Sequence, residues 1–425
     1  MTEKEVKKIY LIDVTNRDGV QTANLGLAKL EKTIINIYLA EMGIYQSEFG
    51  FPVTNHETNY LNANIDLARK GVMKDMRLSG WARAIVKDVE ESIKMVPGLK
   101  YLNLSMSTSD QMIMNKFKGK IDKQQIIENT CDSVKLAKDL GIGGLGINAE
   151  DASRTNPEFL VEFASKAKEA GADRFRYCDT LGYDDPFTIY NNIAYIAKYT
   201  KMDIELHCHN DLGMVVANSV AGAKAAIDNG VNAYINTTIN GLGERAGNAD
   251  LVSVILALRK SSGFLDNSKY ILDEKVDLSR AWKIAKYASY AFNVPIPINQ
   301  PGVGANAFAH ESGIHADGAL KDRRNYELYD YEELGRGEPE KIETGRMITT
   351  GEYGGIKGFR NVYGELEINF ENEEDAHNIL ELVRYANVHT QKPLTEDELR
   401  FVAKYPEEAR KILTVEPVRR VVKDI

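Results

Sequence analysis

Two histidines separated by a single residue stand at the end of a predicted strand, in the segment 207–211, His-Cys-His-Asn-Asp. Side chains alternate along a strand, so His207 and His209 share one face while Cys208 points to the other. Two imidazoles on one face can bind one divalent metal ion, and a carboxylate completes a common three-ligand set. Asp18, after the first predicted strand, is the natural source of that carboxylate. The alternative is a pair of strand histidines held by hydrogen bonds in a polar core.

Two polar loops carry further groups that could bind an anion. In the first, Asp13 to Gln21, Arg17 stands beside Asp18 and could meet an anionic substrate while the aspartate meets a cation. The second, Asn240 to Asn248, is a glycine-rich turn that enters a predicted helix. A helix N-terminus of this kind can hold a phosphate or a carboxylate through backbone N–H groups. For the first loop, an Asx-rich turn with a surface ion pair is the alternative.

Eight strand-like segments, most of them followed by a helical segment, must position these groups. They begin near residues 9, 44, 75, 99, 144, 174, 203 and 231, and apolar residues recur at helical spacing between them. Eight β/α units over about 250 residues predict an α/β protein of the (β/α)8 TIM-barrel class. A doubly wound open sheet is the alternative, but no glycine-rich phosphate loop follows the first strand, as that fold would normally require.

Barrel enzymes place their active sites at the carboxyl ends of the strands. Polar side chains are predicted at many of those ends in this chain, which is hard to explain by stability alone. They are Asp18, Glu48, Arg77, Glu150, Asp179, Thr180, His207, His209 and Asn240.

The β/α rhythm stops after the eighth unit, where a connector rich in proline, glycine and asparagine follows. We expect three parts: a catalytic barrel (1–270), a connector and lid subdomain that contributes active-site residues (271–345), and a small C-terminal helical α+β subdomain (346–425). Within the last part, Thr395 and Glu398 form a capping-box pattern that predicts the start of a helix.

The composition excludes several classes of protein. The chain has 425 residues, 43% hydrophobic and 27% charged, with a net charge of −9, which describes a globular protein. No basic stripe with interleaved aromatic residues suggests nucleic-acid binding, and no apolar run reaches the roughly 20 residues that span a bilayer. Cys131, Cys178 and Cys208 are far apart and odd in number, which favours a reducing compartment. The charged amino-terminal segment lacks the apolar core of a signal peptide, so a cytoplasmic protein is expected.

Four motifs together resemble one enzyme family. They are Asp13-x-Thr-x-Arg-Asp-Gly-x-Gln21, His207-x-His-Asn-Asp211, Asn240-Gly-x-Gly-Glu-Arg-Ala-Gly-Asn248 and Ser312-Gly-Ile-His315. In this order and at these strand ends, they are similar to the metal-dependent acyl-CoA condensing enzymes: the isopropylmalate, homocitrate and citramalate synthases and the Re-face citrate synthases. The resemblance runs through the barrel and the connector.

The resemblance implies a metal-assisted condensation of acetyl-CoA with a 2-oxo acid. It implies that Asp18, His207 and His209 hold a divalent metal ion, with Asn240 close by. Mn²⁺ or Co²⁺ is favoured, with Mg²⁺ or Zn²⁺ as alternatives. Such an ion would bind the oxo acid and polarise its carbonyl group.

The resemblance also implies roles for the remaining groups. Arg17 would support the developing oxyanion, and Thr180 would receive the substrate carboxylate. Glu150 and His315 would deprotonate the methyl group of acetyl-CoA, with Tyr326 nearby. In the family the equivalents of His315 and Tyr326 come from the neighbouring chain, so a homodimer with a shared active site is expected. The further predicted substrate-binding residues are Gln21, Glu48, Arg77, Arg154, Gly243, Glu244 and Asn248.

Departures from the family pattern bear on the acceptor. Homocitrate synthases usually have an arginine where this chain has Gly146, and its absence argues against 2-oxoglutarate. The first loop, with Asn16 before Arg17, most resembles that of the Re-face citrate synthases. The chain is also too short for the leucine-sensing domain of typical isopropylmalate synthases. Oxaloacetate is therefore the predicted acceptor and citrate the product. The candidates for binding the second carboxylate are left unranked: Arg77, Arg154 and Arg176.

Three alternatives stay open. The same machinery could act on 2-oxoglutarate, 2-oxoisovalerate or pyruvate. A barrel lyase that cleaves hydroxymethylglutaryl-CoA would need a reactive cysteine in a glycine-rich loop, and none of the three cysteines stands in one. A non-catalytic metal-binding scaffold would be expected to have lost part of the constellation, all of which is present.

Overall fold

The computed structural model describes residues 6–265, 267–337 and 349–414 of the chain. Nine strands lie in these ranges: β1 (Lys8–Asp13), β2 (Gln46–Gly50), β3 (Arg77–Arg83), β4 (Tyr101–Ser107), β5 (Gly144–Glu150), β6 (Arg174–Asp179), β7 (Asp203–Cys208), β8 (Ala233–Thr237) and β9 (Ile271–Leu272). The first eight are parallel and form a closed barrel, because β1 pairs with β2 on one side and with β8 on the other. The predicted TIM barrel is confirmed.

Helices follow the strands of the barrel and build the C-terminal part. In the described ranges they are α1 (Lys29–Glu41), α2 (Thr58–Arg69), α3 (Val86–Met95), α4 (Asp110–Asn115), α5 (Lys123–Asp139), α6 (Pro157–Ala170), α7 (Pro186–Thr200), α8 (Val215–Asp228), α9 (Leu251–Lys260), α10 (Ser262–Leu265), α11 (Ala281–Phe292), α12 (Gly313–Lys321), α13 (Ile356–Glu365), α14 (Glu373–Thr390), α15 (Glu396–Lys404) and α16 (Pro406–Leu413). Among these described helices, none is long and apolar enough to cross a membrane.

Helix α6 shows how local residue choices set the boundaries of an element. The side chain of Asn156 accepts hydrogen bonds from the backbone N–H groups of Glu158 and Phe159, and Pro157 occupies the first helical position. Both features stabilise a helix start. Gly171 ends the helix with φ = 117°, a left-handed conformation that suits glycine. The sequence pattern and the observed ends of this helix therefore agree.

Aromatic side chains fill the amino-terminal end of the barrel. The rings of Tyr10 and Tyr45 are 4.7 Å apart, and those of Tyr10 and Tyr234 are 5.0 Å apart. Arg77 lies in this layer, with its guanidinium carbon 4.5 Å from the centre of the Tyr45 ring. The prediction that Arg77 stands at the carboxyl end of its strand is wrong, because β3 begins at this residue. Arg77 is therefore at the end of the barrel opposite the mouth and is not placed to bind substrate.

The described C-terminal residues, 349–414, form helices α13 to α16 and no strand. The β component of the predicted α+β subdomain is therefore not found in this range. The capping box at the start of α15 is confirmed: Glu398 N–H donates to Thr395 Oγ1 at 3.3 Å, and Thr395 N–H donates to Glu398 Oε2 at 2.7 Å. The predicted boundary at 345 and the segment 415–425 lie outside the described residues.

Candidate metal centre and active site

Asp18, His207 and His209 form a buried cluster at the carboxyl end of the barrel. Nε2 of His207 lies 3.1 Å from Oδ2 of Asp18, and Nε2 of His209 lies 4.0 Å from the same oxygen. One potential ligand atom from each residue lies within 4.8 Å of the other two. Two imidazoles and one carboxylate suit a divalent transition metal. The structure thus brings together the three residues that the sequence predicted as metal ligands.

Hydrogen bonds determine which nitrogen of His207 faces the cluster. Nδ1 of His207 lies 3.0 Å from Oδ1 of Asn236, an acceptor, so Nδ1 carries the proton. The orientation of this amide follows from its nitrogen, which donates to Oε1 of Glu205 at 2.8 Å. Nε2 of His207 is therefore the ring nitrogen that faces Asp18, which is the orientation that metal binding requires.

Burial and neighbouring charges set the protonation states of the cluster. The pKa of His209 is lowered to about 3, first by burial and then by the neighbouring His207. Burial by itself would raise the pKa of Asp18, but Arg17 and His207 outweigh it and hold that pKa well below its ordinary value. A neutral imidazole and an ionised carboxylate are the forms in which these groups bind a metal ion.

Cys208 lies on the opposite face of β7, as the alternation of side chains predicted. It is 1% exposed, and its thiol lies beside Ser219 of α8. Burial raises the pKa of this thiol well above its ordinary value. The thiol is thus packed between strand and helix, away from the two histidines.

A ring of buried ion pairs lies beneath the cluster. Arg17 donates to Oδ2 of Asp18 at 2.7 Å and to Oε1 of Glu48 at 2.6 Å. Arg176 donates to Oε2 of Glu48 at 2.5 Å and to Oε1 of Glu205 at 2.7 Å. Glu205 also accepts a hydrogen bond from the amide of Asn236, which orients His207. The ion pairs are therefore linked to the cluster. Its members hold each other in place inside the barrel.

Glu48 is part of this ring of buried ion pairs. It is fully buried, which would raise its pKa, but Arg176 and Arg17 outweigh burial and lower the pKa to about 2. Its two carboxylate oxygens accept hydrogen bonds from Arg17, Arg176 and Asn103. The carboxylate of Glu48 is therefore taken up by neighbouring side chains, and its predicted substrate contact stays a prediction.

The three arginines proposed for the second carboxylate of the acceptor all have partners within the chain. Arg176 is 1% exposed and bound to two glutamates. Arg154 donates through Nε and Nη2 to the carboxylate of Asp151, at 2.9 and 2.8 Å. Arg77 packs on tyrosine rings at the other end of the barrel. Of the three, Arg154 keeps its Nη1 without a hydrogen bond among the described residues, so its contact with the second carboxylate stays a prediction.

Asn248 places an amide oxygen beside the cluster. A methyl group added at Gly243 would lie 1.8 Å from Oδ1 of Asn248 and 3.3 Å from Oδ1 of Asp18, so both oxygens flank the same small space. Oδ1 of Asn248, like that of Asn240, is buried and has no hydrogen-bond partner among the described residues. Asn240 has φ = 58° and donates to the backbone oxygen of Ala285 at 3.0 Å. This bond ties the amide nitrogen of Asn240 to α11, so Asn240 stays a predicted metal neighbour and Asn248 is a second amide candidate.

Asn16 does not face the active site. It is fully buried, and its amide nitrogen donates to the backbone oxygen of Lys32 at 2.8 Å and to Oδ1 of Asn36 at 2.9 Å, both on α1. The sequence suggested that Asn16 marks the choice of acceptor. In the structure Asn16 packs the first loop against α1, so its link to the acceptor stays a prediction that rests on the resemblance.

Three other predicted substrate-binding residues lie around the mouth with different access. Gln21 is exposed at the end of a short 3-10 turn. The backbone N–H of Glu244 lies 3.4 Å from Oδ1 of Asp18. Oγ1 of Thr180 accepts a hydrogen bond from the backbone N–H of Asp151 at 2.9 Å, which ties the end of β6 to the loop after β5.

Glu150, the predicted base, lines a cavity of about 550 Å³. Ser107 donates to Oε2 of Glu150, and Nζ of Lys116 lies 2.6 Å from the same oxygen. Sequence reasoning singled out neither Ser107 nor Lys116. The signal that could have found them is topological, because the chain after β4 must pass the end of the neighbouring β5. The apolar and aromatic lining of the cavity consists of Trp81, Ile85, Val86, Met106, Phe117 and Ile121.

His315 and Tyr326 contact each other, with ring centres 4.3 Å apart and nearly stacked planes. Helix α12, which carries His315, has no buried residue. In the ranges that the structure describes, no hydrogen bond or ring contact joins His315 or Tyr326 to Glu150. Within one chain, the predicted pair of Glu150 and His315 is therefore not joined by a contact.

Comparison with known proteins identifies two matching families along the chain. The HMGL-like family matches residues 8–287, and the family described as homocitrate synthase post-HMGL domain-like matches residues 303–390. The first match covers the whole barrel and helix α11 up to residue 287. The second covers the segment that carries α12, α13 and α14.

Individual relatives agree with these matches. A Citrate (Re)-synthase from Dehalococcoides mccartyi (strain CBDB1) is 61% identical over 412 residues, which cover 97% of this chain and 99% of that protein. A 2-isopropylmalate synthase 2 from Caldanaerobacter subterraneus subsp. tengcongensis is 39% identical over 402 residues, 95% of this chain and 97% of that one. The solved HMG-CoA lyase from Bacillus subtilis superposes with a TM-score of 0.55 at 20% identity, covering 68% of this chain and 96% of the lyase, and supports the barrel fold.

Proposed function

This chain belongs to the HMGL-like family, and we propose that it condenses acetyl-CoA with oxaloacetate to give citrate and CoA. The observation that carries the proposal is the 61% identity to a Citrate (Re)-synthase over nearly the full length of both chains. The buried Asp18–His207–His209 cluster adds a site that suits the metal-assisted chemistry. Condensation with a different 2-oxo acid is the alternative.

The first step of this reaction removes a proton from the methyl group of acetyl-CoA. That proton is weakly acidic, so the enzyme needs a positioned base and groups that stabilise the enolate. We assign the role of base to Glu150, which lines the cavity of about 550 Å³. His315 is assigned as its partner. The enolate carbon bonds to the carbonyl carbon of oxaloacetate, and water then cleaves the thioester to release citrate and CoA.

The metal cluster and its amide neighbour would hold the second substrate. Asp18, His207 and His209 supply one oxygen and two nitrogens, and Asn248 adds an amide oxygen next to them. When a divalent metal ion is bound, it supplies Lewis-acid polarisation of the acceptor carbonyl. Mn²⁺ or Co²⁺ is our expectation, with Mg²⁺ or Zn²⁺ as alternatives.

Arg17 is placed to support the negative charge that develops on the carbonyl oxygen. It donates through Nε to Glu48 and through Nη1 to Asp18. Within the described residues, Nη2 makes no hydrogen bond, so this nitrogen is available to a substrate oxygen beside the metal ligands. The two carboxylates fix the guanidinium in advance, which lowers the reorganisation needed during the reaction.

The surroundings of Gly146 support a short dicarboxylic acceptor over 2-oxoglutarate. In the homocitrate synthases, which this chain resembles, an arginine usually stands at the position of Gly146. Here a Cβ atom at residue 146 would lie 2.0 Å from Oδ1 of Asn103 and 3.7 Å from Oε2 of Glu205. No side chain fits there without displacing the buried network, so β5 offers no cation for a longer acceptor.

The proposal is tested by measuring thiol release from acetyl-CoA with a panel of 2-oxo acids: oxaloacetate, 2-oxoglutarate, 2-oxoisovalerate and pyruvate. The protein is first treated with a chelator and then supplied with Mn²⁺, Co²⁺, Mg²⁺ or Zn²⁺. We expect the highest kcat/KM with oxaloacetate, and we expect citrate as the product. Faster turnover with another acid would contradict the citrate assignment, and full turnover without metal would contradict the metal-assisted mechanism.

The face of attack is tested on the same product. Citrate made from oxaloacetate labelled at C4 is cleaved by a citrate-cleaving enzyme of known stereospecificity. The label then appears in opposite fragments for the two faces of attack. A synthase known to attack the Si face is the control. We expect the label in the fragment opposite to that of the control.

We propose a homodimer in which His315 and Tyr326 reach the active site of the other chain. Support comes from the open position of α12, where Ile314 is 76% and Leu320 is 88% exposed. Glu150→Ala and His315→Ala should each be inactive as pure proteins. After mixing and subunit exchange, half of the dimers carry one intact site, so about one quarter of wild-type activity should return. No recovery after proven exchange would mean that each chain uses its own His315.

The remaining features of the proposed enzyme stay predictions. Three cysteines without a disulfide fit a reducing compartment such as the cytoplasm. The division into a barrel (1–270), a connector and lid (271–345) and a C-terminal part (346–425) fits the change from barrel to helices. Limited proteolysis with mapping of the fragments tests these boundaries.

A further inference from the structure

The carboxylate of Glu150 is held by two groups from the segment that follows β4. Ser107 donates to Oε2 of Glu150, and Nζ of Lys116 donates to the same oxygen at 2.6 Å. Lys116 also donates to Oγ of Ser107 at 3.0 Å, so the three side chains form a closed triangle. Every hydrogen bond that the described residues donate to the carboxylate of Glu150 is thus accepted by Oε2.

This arrangement divides the two oxygens of the carboxylate between two tasks. Oε2 is occupied by Lys116 and Ser107, whereas no described residue donates to Oε1. A carboxylate anchored through one oxygen has a fixed plane and presents the other oxygen in a defined direction. Proton transfer from carbon depends strongly on such alignment, and a misplacement of about 1 Å can lower a rate by about 10²-fold.

The cavity connects this triangle to the expected path of the cosubstrate. Lys116, Ser107 and Glu150 all line the cavity of about 550 Å³, whose remaining wall is mainly apolar. A pantetheine arm with a thioester at its end has matching chemistry, with an apolar chain and one reactive polar group. A thioester that enters along this wall would meet the free oxygen of Glu150 with Lys116 beside it.

We propose that Lys116 is a positioning residue for the condensation: it orients Glu150 so that Oε1 removes the methyl proton of acetyl-CoA. This inference rests on the proposed function, because it assigns Glu150 the role of base. A plain surface ion pair is the competing explanation, since 49% of the Lys116 side chain and 30% of the Glu150 side chain are exposed. Exposed ion pairs contribute little to stability, so the two explanations predict different results for activity.

The test compares Lys116→Met, Lys116→Arg and the control Lys120→Met with the wild-type enzyme. Lys120 is exposed on the same segment and does not line the cavity. We expect Lys116→Met to lower kcat by about 10²-fold, with KM for both substrates within about threefold of wild type. With (methyl-²H₃)acetyl-CoA, its isotope effect on kcat should rise, because proton removal becomes slower than the later steps. Lys116→Arg should recover at least about tenfold of the loss, since a guanidinium can also anchor Oε2.

Each result either supports or overturns the positioning role of Lys116. The thermal midpoint of Lys116→Met should stay within about 3 °C of wild type, as expected for an exposed pair. An unchanged kcat and isotope effect would overturn the proposal, and so would an increase confined to KM for acetyl-CoA, which would make Lys116 a contact for CoA. Failure of the wild-type enzyme to condense any 2-oxo acid would refute the proposed function instead. The role of Lys116 is judged only from the ratio of variant to wild type.

Discussion

His207 Nε2 lies 3.1 Å from Asp18 Oδ2, so the end of β7 meets the loop after β1 although β8 runs between them. Both groups are buried, and Nδ1 of His207 is held by an amide oxygen. This contact joins an early and a late strand of the barrel at its mouth. It is the geometric basis for the proposed metal site and for the predictions below.

His207→Ala should lose metal and activity together, because it removes one of two nitrogen ligands. We expect metal content below one tenth of an ion per chain and a loss of at least about 10²-fold in kcat. Cys208→Ser should retain both, since Cys208 packs against α8 on the other face of β7. Metal content measured by mass spectrometry on both variants, with circular dichroism to check folding, tests this. Loss of metal from Cys208→Ser would show that the assignment of faces on β7 is wrong.

Gly243→Ala should weaken metal binding without adding or removing a ligand. Its Cβ atom would lie 1.8 Å from Oδ1 of Asn248 and 3.3 Å from Oδ1 of Asp18, so at least Asn248 must move. Disturbing groups around a metal typically lowers affinity or activity by about 10- to 100-fold. Isothermal titration with Mn²⁺ measures the effect. Gly26→Ala is the matched control, because a Cβ atom there meets nothing within 4 Å.

Arg176→Met should destabilise the fold strongly. The change leaves Glu48 and Glu205 as buried carboxylates with too few cations, since Arg176 binds both. Removing one member of a buried ion pair lowers the free energy of unfolding by about 3 to 5 kcal/mol. Urea unfolding followed by circular dichroism measures it. Arg69→Met, which breaks an exposed pair with Asp66, should change the free energy of unfolding by less than about 1 kcal/mol.

Glu31 should make the protein less stable as the pH rises from about 4.5 to about 7. Burial raises the pKa of Glu31 to about 7 in the folded chain, from an ordinary value of 4.5. Between these values the folded state holds the proton while the unfolded state releases it, so stability falls as the pH rises. Above about pH 7 the loss is complete, and it amounts to at most about 3 kcal/mol.

Glu31→Gln isolates this contribution. A glutamine oxygen can still accept the hydrogen bond that the backbone N–H of Ala28 donates to Glu31. Relative to wild type, the free energy of unfolding of Glu31→Gln should therefore rise by about 2 to 3 kcal/mol between pH 5 and pH 8. Urea unfolding at both pH values provides the comparison. An equal difference between the two proteins at pH 5 and pH 8 would contradict the raised pKa.

Local rules of the chain predicted much of the site. Alternation along a strand is enough to put His207 and His209 on one face and Cys208 on the other, because the period of two depends only on the backbone. The eight β/α units were visible in the spacing of apolar residues, and barrel closure then requires that strand ends share a mouth. Asp18 could be assigned to the histidines on this ground alone.

The position of a side chain along the barrel axis and the direction in which it points were not predictable in the same way. Arg77 was assigned to the mouth because its strand was placed a few residues too early, and a shift of this size moves a side chain from one end of a strand toward the other. Asn16 was singled out only as a mark of resemblance, and the structure shows that its side chain faces α1. Asn240 and Asn248 belong to one motif, and only the structure shows that Oδ1 of Asn248 lies beside Asp18 across Gly243.

The sequence by itself determined the class of fold and the pair of histidines in the candidate metal site, since these follow from periodicity and residue type, and its four motifs pointed by resemblance to the type of chemistry. Only the tertiary structure decided which charges pair and which stay free. Arg176 is bound by Glu48 and Glu205 from neighbouring parts of the barrel wall, and Lys116 reaches Glu150 from the segment after β4. Such pairs join residues that are distant in the chain. Their partners depend on how the strands are placed around the barrel, which no local pattern of residues records.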